Sequence, residues 1–137
     1  MNMPKYSNYE NVNNYSDSID KTQYVLSIES EDHRKKILNE HKIVCIDLYA
    51  NWCGPCKNIA PTFNQLAKEY NVPGKCLLVK ENVDLELTNE CQVISIPTFL
   101  FFKNGQILTD QNNSPVKVEG GYIEEIKNIL DRLLEHN

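Results

Sequence analysis

Two cysteines separated by two residues, in Trp52-Cys53-Gly54-Pro55-Cys56-Lys57, carry the most specific chemistry in this chain. The apolar run from Ile43 to Ala50 feeds straight into them, and a segment of helical periodicity follows. A Cys-x-x-Cys in that setting has the pattern of a redox dithiol. The reason is the end of the helix. A thiol in the first turn meets unpaired backbone N–H groups and the positive end of the macrodipole, and both stabilise a thiolate. Only the thiolate attacks sulfur, so Cys53 there is a nucleophile near neutral pH. Cys56 is close enough to close a small disulfide ring with Cys53 and is expected to be the more sheltered of the two. Pro55 suits the first turn, where its missing N–H removes no intrahelical bond and its fixed φ fits the helix.

Asp47 is the one charged residue in the run from Ile43 to Tyr49. In a strand covered on both faces its carboxyl would lose hydration, which disfavours the charged form and raises its pKa. At a strand end it would be hydrated and structural, but its place one strand-length before the dithiol favours a role in proton transfer. Lys57 and Lys80 would favour anionic forms near them, of the thiolate and of Asp47 respectively; the alternative for both is an ordinary solvated lysine. A metal site is the main rival for the cysteine pair, and structural zinc needs four ligands, usually as two close pairs. Cys45, Cys76 and Cys91 are isolated, and His33, His41 and His136 have no ligand spacing. No metal is therefore expected, and those three cysteines read as small buried hydrophobes.

The elements that must hold this site follow from the patterning. Tyr24 to Ile28 reads as a strand; Ser30 offers an N-cap for a helix over 31–41, with Glu31 and Asp32 in its first turn. Ile43 to Tyr49 reads as a central strand. A helix runs from about Cys53 to Tyr70 with Ile59, Phe63, Leu66, Ala67 and Tyr70 on one stripe, bent at Pro61. Cys76 to Lys80 begins another strand, Leu85 to Gln92 a short helix, and Thr98 to Phe102 an aromatic-rich strand. Asn104-Gly105 is a hairpin turn signal, with Val116 to Glu119 completing the hairpin. The last helix, about Ile123 to Leu134, buries Ile126, Ile129, Leu130, Leu133 and Leu134. This order gives an α/β fold with a mixed sheet and helices on both faces.

A chain of 137 residues with 41% hydrophobic content is in the range of one domain with its own core. Its net charge of -5 argues against a nucleic-acid partner. There is no apolar run long enough to span a membrane. Neither a secretory signal nor a usual transit peptide is legible from Met1 to Tyr6. Five cysteines, only two of them closely spaced, suit a reducing compartment. Residues 1–21, rich in Asn, Ser and Tyr, read as a flexible tail whose burial cannot offset its ordering entropy; residues 22–137 form the domain.

Trp52-Cys53-Gly54-Pro55-Cys56-Lys57 resembles the active-site signature of the thioredoxin family, and the resemblance extends over roughly residues 22–137. Asp47 falls where the family carries a buried acid, and Lys80 matches its partly buried lysine. Pro61 is similar to the proline that kinks its active-site helix. Ile96-Pro97-Thr98 matches its cis-proline loop, and Phe102-Lys103-Asn104-Gly105 the turn after its next strand. The resemblance implies a thioredoxin fold, a central mixed β-sheet of about five strands flanked by about four helices. It implies Cys53 as nucleophile, Cys56 as resolving thiol and Asp47 as proton acceptor and donor. It also implies a cis Pro97 that exposes the Ile96 backbone to an extended substrate segment, with Trp52, Gly54 and Pro55 around the same groove. Gly-Pro between the cysteines is what reducing members carry, where oxidases and isomerases usually have a histidine.

The implied activity is reduction of disulfides in protein substrates, with no bound cofactor and with electrons from NADPH through a thioredoxin reductase. A monomer in the cytoplasm is the expected setting. The alternatives are an adaptor that uses the fold as an interaction module, and a disulfide isomerase or oxidase. Three departures stand out. Tyr49 stands where many members have tryptophan, and Ser95 where animal-type members have a further cysteine beside the one that Cys91 resembles. Residues 109–115 look like a polar insertion at the hairpin tip.

Overall fold

The computed structural model describes residues 22–85 and 90–135; the expected tail, residues 1–21, lies outside them. Strand β2, Ile43–Tyr49, is buried along all but its last residue, as its unbroken apolar run requires. It sits between β3 (Cys76–Asn82), which runs parallel to it, and β4 (Thr98–Lys103), which runs antiparallel. Strand β1 (Leu26–Ile28) pairs parallel on the outer side of β3. Beyond β4 the far edge is shared by two short antiparallel strands, β5 (Gln106–Ile107) and β6 (Lys117–Glu119). The sheet is thus five positions wide, in the order β1-β3-β2-β4 and then β5 with β6.

Successive residues of a strand point to opposite faces, and the sequence divides its apolar residues accordingly. Ile43, Cys45, Cys76, Leu78, Phe99 and Phe101 pack with helices α2 (Gly54–Tyr70) and α3 (Ile123–Glu135). Val44, Ile46, Leu48, Leu77, Val79, Leu100 and Phe102 pack on the other face with α1 (Glu31–Glu40) through Ile37. Asp47 has the parity of Ile43 and Cys45, so its side chain points to the α2 side. Helix α1 begins at Ser30, whose hydroxyl accepts a 3.0 Å bond from the His33 N–H. Helix α2 runs unbroken through Pro61.

The observed elements refine the sequence reading in several places. Strand β1 starts only at Leu26 because the N–H groups of Tyr24 and Val25 donate to Asn64 Oδ1, at 2.7 and 3.3 Å, instead of to a neighbouring strand. Of the helix expected over 85–92, Leu85 closes a 3₁₀ turn that starts at Val83, residues 86–89 lie outside the described set, and Glu90 is helical. Across the Asn104-Gly105 turn β4 pairs first with β5 and then with β6, so the segment at 116–119 completes the hairpin as expected, but after an excursion of the chain. Residues 109–115 therefore leave the middle of an edge strand and not the hairpin tip. They are closed by a Thr109–Pro115 bridge and by Asp110 Oδ1, which accepts from the N–H groups of Asn112 and Ser114.

A buried ion pair lies under the α1 face. Arg34 and Glu81 form a bidentate ion pair, Nε to Oε1 and Nη2 to Oε2 each at 3.0 Å, with side-chain exposures of 7% and 0%. The parity of β3 directs Glu81 inwards beneath α1, and only a fork-shaped donor satisfies both carboxylate oxygens there.

Candidate active site

Cys53 is the N-cap of α2, with φ -87° and ψ 110°, and the chain turns helical at Gly54. The Cys56 N–H, one of the donors left unpaired at a helix start, points at Cys53 Sγ from 3.1 Å. A sulfur there accepts a backbone hydrogen bond and feels the positive end of the helix, the two effects that favour a thiolate over a thiol. Gly54 and Pro55 occupy the exposed first turn. The two cysteines are joined in a disulfide with Cα atoms 5.3 Å apart. Their exposures are 4% and 5%, so Cys56 is not the more sheltered of the two. Closing the ring ties both into one small apolar cluster with Ala50, against which Tyr49, Val83 and Ile96 pack.

The loop facing this cluster carries a cis Ile96-Pro97 bond. Pro97 is buried and Ile96 half-buried. Two bonds hold the loop. The Gly120 N–H donates to the Pro97 carbonyl at 2.9 Å, and the Thr98 hydroxyl donates to the Ser95 carbonyl at 2.6 Å. Trp52 and Ile94 leave large apolar surfaces in water, 78% and 87% exposed. Single exposed hydrophobic residues are common, but Trp52 directly precedes Cys53 in the chain and Ile94 lies two residues before Ile96.

On the α2 side of the sheet a cleft of about 200 Å³ is lined by Asp47, Tyr49, Ala50, Asn51, Cys56, Lys57, Ala60 and Lys80. It is roomy enough for several waters, each of which needs roughly 30 Å³. Asp47 is only 4% exposed, and its Oδ1 has no hydrogen-bond partner. Burial pushes its carboxyl up to about 7, although the Lys80 charge pulls the other way. An unpartnered buried acid beside a cysteine, titrating near neutrality, is poised to take or give a proton there. Lys57 lies on the solvent side of the cleft and also lines a neighbouring one of about 340 Å³ that reaches Asp47, Lys80, Gln23 and Asn64.

The structure thus brings together Asp47, Lys57, Lys80, Cys53 and Cys56, with Ile96 packed on the dithiol. Tyr49 entered the sequence reading only as a packing substitution, yet it lines the Asp47 cleft and carries the Lys80 ammonium 5.2 Å from its ring centroid. The period-2 parity shared by Asp47 and Tyr49 was the available signal. Cys45, Cys76 and Cys91 are buried as expected. Burial pushes the thiols of Cys76 and Cys91 up to about 12 and about 11, which makes them poor nucleophiles.

Comparison with known proteins places this geometry. The thioredoxin family model matches residues 24–128. A thioredoxin of Neurospora crassa is 35% identical over 111 residues, which cover 80% of this chain and 86% of that one. A thioredoxin of Haemophilus influenzae is 43% identical over 89 residues, covering 64% of this chain and 81% of its own. Among solved structures, a Plasmodium falciparum thioredoxin superimposes with a TM-score of 0.66 at 28% identity, over 79% of this chain and 98% of that one.

Proposed function

The chain belongs to the thioredoxin family, a thiol–disulfide oxidoreductase with a redox-active cysteine pair, and from that premise we propose how its residues divide the work of reducing protein disulfides. The Cys53 thiolate attacks one sulfur of a substrate disulfide, forming a Cys53–substrate bond and releasing the other substrate sulfur as a thiolate. Cys56 loses its proton to Asp47, directly or through a water in the shared cleft, and attacks Cys53 Sγ. The mixed disulfide breaks, the Cys53–Cys56 disulfide forms, and the substrate leaves with two electrons and two thiols. Lys80 tunes the acidity of Asp47, and Lys57 favours the anionic forms at the mouth of the cleft. The backbone of Ile96, set by cis Pro97, pairs with an extended substrate segment, while Trp52, Gly54 and Pro55 form the rest of the contact surface.

The observation that carries this reading is the conjunction of Cys53 at the cap of α2 with a partnerless, buried Asp47 in the cleft that Cys56 lines. The Gly-Pro between the cysteines supports the reducing direction, since no histidine is present there to stabilise the reduced thiolate and make the disulfide more oxidising. In this reading no cofactor binds the chain. NADPH supplies electrons through a thioredoxin reductase, and the protein works as a monomer in the cytoplasm or another reducing compartment.

The test is a pair of serine variants in a reductase-coupled assay with a protein disulfide. Cys53→Ser is expected to abolish turnover, and Cys56→Ser to accumulate mixed disulfides that a reductant releases. Full turnover by Cys53→Ser would overturn the mechanism.

A further inference from the structure

In the parallel register Asp47 lies directly beside Lys80 on the face towards α2, one strand spacing away. A lysine stem is long enough to lay its ammonium group on the neighbouring carboxyl. It does not do so: among the described residues no cation comes within ion-pair distance of Asp47, whose Oδ1 is left without a partner. The Lys80 ammonium instead stands over the Tyr49 ring, 5.2 Å from its centroid, within the range in which a ring face attracts a cation. Tyr49 is two residues beyond Asp47 on the same strand and face, and it is itself fixed by packing against Ala50, Cys53 and Cys56.

We propose that Tyr49 is a positioning residue: its ring holds the Lys80 ammonium away from Asp47 and so keeps the carboxyl beside Cys56 free to bind and release a proton. The inference deepens the role given to Asp47 above, but the contact itself stands without that role. The charged and titratable groups that face Asp47 are few. They are Lys80 on β3, Lys57 and the disulfide-bonded Cys56 on α2, and Cys45 and the Tyr49 phenol on β2 itself; on the β4 side its register partner is Phe99, which carries no charge. Of these, Lys80 is the group that a released side chain would bring onto the carboxyl. Without the ring, Lys80 closes the ion pair and Asp47 becomes the more acidic.

The test uses the full chain in its oxidised form, in which Cys53 and Cys56 do not titrate and Asp47 is read without a coupled thiol. The Asp47 side-chain carboxyl is followed by carbon NMR against pH. Tyr49→Phe, which keeps the ring face, is expected to match the parent protein. Tyr49→Leu is expected to lower the Asp47 midpoint by about one pH unit, as a newly adjacent cation does. In a Lys80→Met background Tyr49→Leu is expected to leave the midpoint where Lys80→Met alone puts it, because the effect runs through the ammonium group.

An unmoved midpoint in Tyr49→Leu, or an equal fall with and without Lys80, would overturn the proposal, the second by showing that the ring merely keeps water out. Should Tyr49→Leu fail to fold, the Lys80 ε-methylene protons of the parent protein decide. A ring-current shift supports the contact, and an ordinary lysine shift refutes it. Loss of turnover in the serine variants bears on the mechanism alone and leaves this titration independent of it.

Discussion

Replacing Asp47 by asparagine should remove a pH-dependent weakness from the fold. The Asp47 carboxyl titrates at about 7 in the native protein against an ordinary 3.8. Between those values the native state holds a proton that the unfolded chain has released. The slope of unfolding free energy with pH is proportional to protons bound in the unfolded state minus those bound in the native state, so it is negative across this window. Stability therefore falls as pH rises from about 4 to about 7 and levels above. Each pH unit of difference is worth 1.36 kcal/mol, which gives ~4 kcal/mol for the whole window. With the residue only 4% exposed there is little solvent to screen that figure.

A domain of this kind has roughly 5–15 kcal/mol of stability in total, so the effect is large. Asparagine keeps the shape of the side chain and abolishes its titration. Burying its amide adds an offset, but that offset does not change with pH. Urea unfolding of the oxidised protein, followed at a series of pH values for both chains, isolates the slope. The variant is expected to gain ~4 kcal/mol relative to the parent between pH 4 and pH 8. A difference that stays flat within about 1 kcal/mol over that range would refute the argument, because it would mean that Asp47 is hydrated or paired in the native state.

Two further perturbations test other parts of the structure. Arg34→Met alone leaves the fully buried Glu81 carboxylate without its partner and is expected to destabilise by about 3–5 kcal/mol, whereas Arg34→Met with Glu81→Leu should be close to neutral or stabilising; equal losses in thermal unfolding would show that the pair is not insulated from water. Gly120→Ala puts a side chain on a backbone with φ +110° and a Cβ 2.8 Å from the Tyr122 ring. The exposed ring can swing aside but the backbone strain cannot, so a loss of roughly 1–3 kcal/mol is expected by urea unfolding, and a neutral result would refute the strain.

Much of the site was legible in the sequence because it is built from local rules. The Cys-x-x-Cys at the junction of an apolar run and a helical stripe located the start of α2 and the cysteine pair that meets there. The single carboxylate in an otherwise apolar strand marked its own desolvation, and Asp47 lies in the predicted strand with the predicted direction of shift. What could not be read were relations between elements. That Glu81 turns inwards follows from the parity of β3, but the guanidinium that satisfies it comes from α1. The edge strand broke into β5 and β6 because a turn residue signal fixes where a hairpin reverses and not how far the returning strand stays paired. The equal burial of the two cysteines follows from the packing of Tyr49, Ala50, Val83 and Ile96 around both, which residue types alone do not specify.

The geometry that buries Asp47 in the cleft is also what burdens the fold. A carboxyl that titrates near neutral pH must be desolvated, and β2, flanked by β3 and β4 and covered on both faces, supplies the desolvation. A cation one strand away would undo this by forming an ion pair and making the acid strong. Holding Lys80 over the Tyr49 ring leaves enough of its field to moderate Asp47 but not enough to neutralise it. The loop over 109–115 emerges from the opposite side of the sheet, beyond β4, where extra residues change neither the register of β2 nor the cleft beside Cys56. Variation at that edge is therefore free to alter what the protein touches without altering the cleft that Asp47 and Cys56 share, because no residue of the loop lines it.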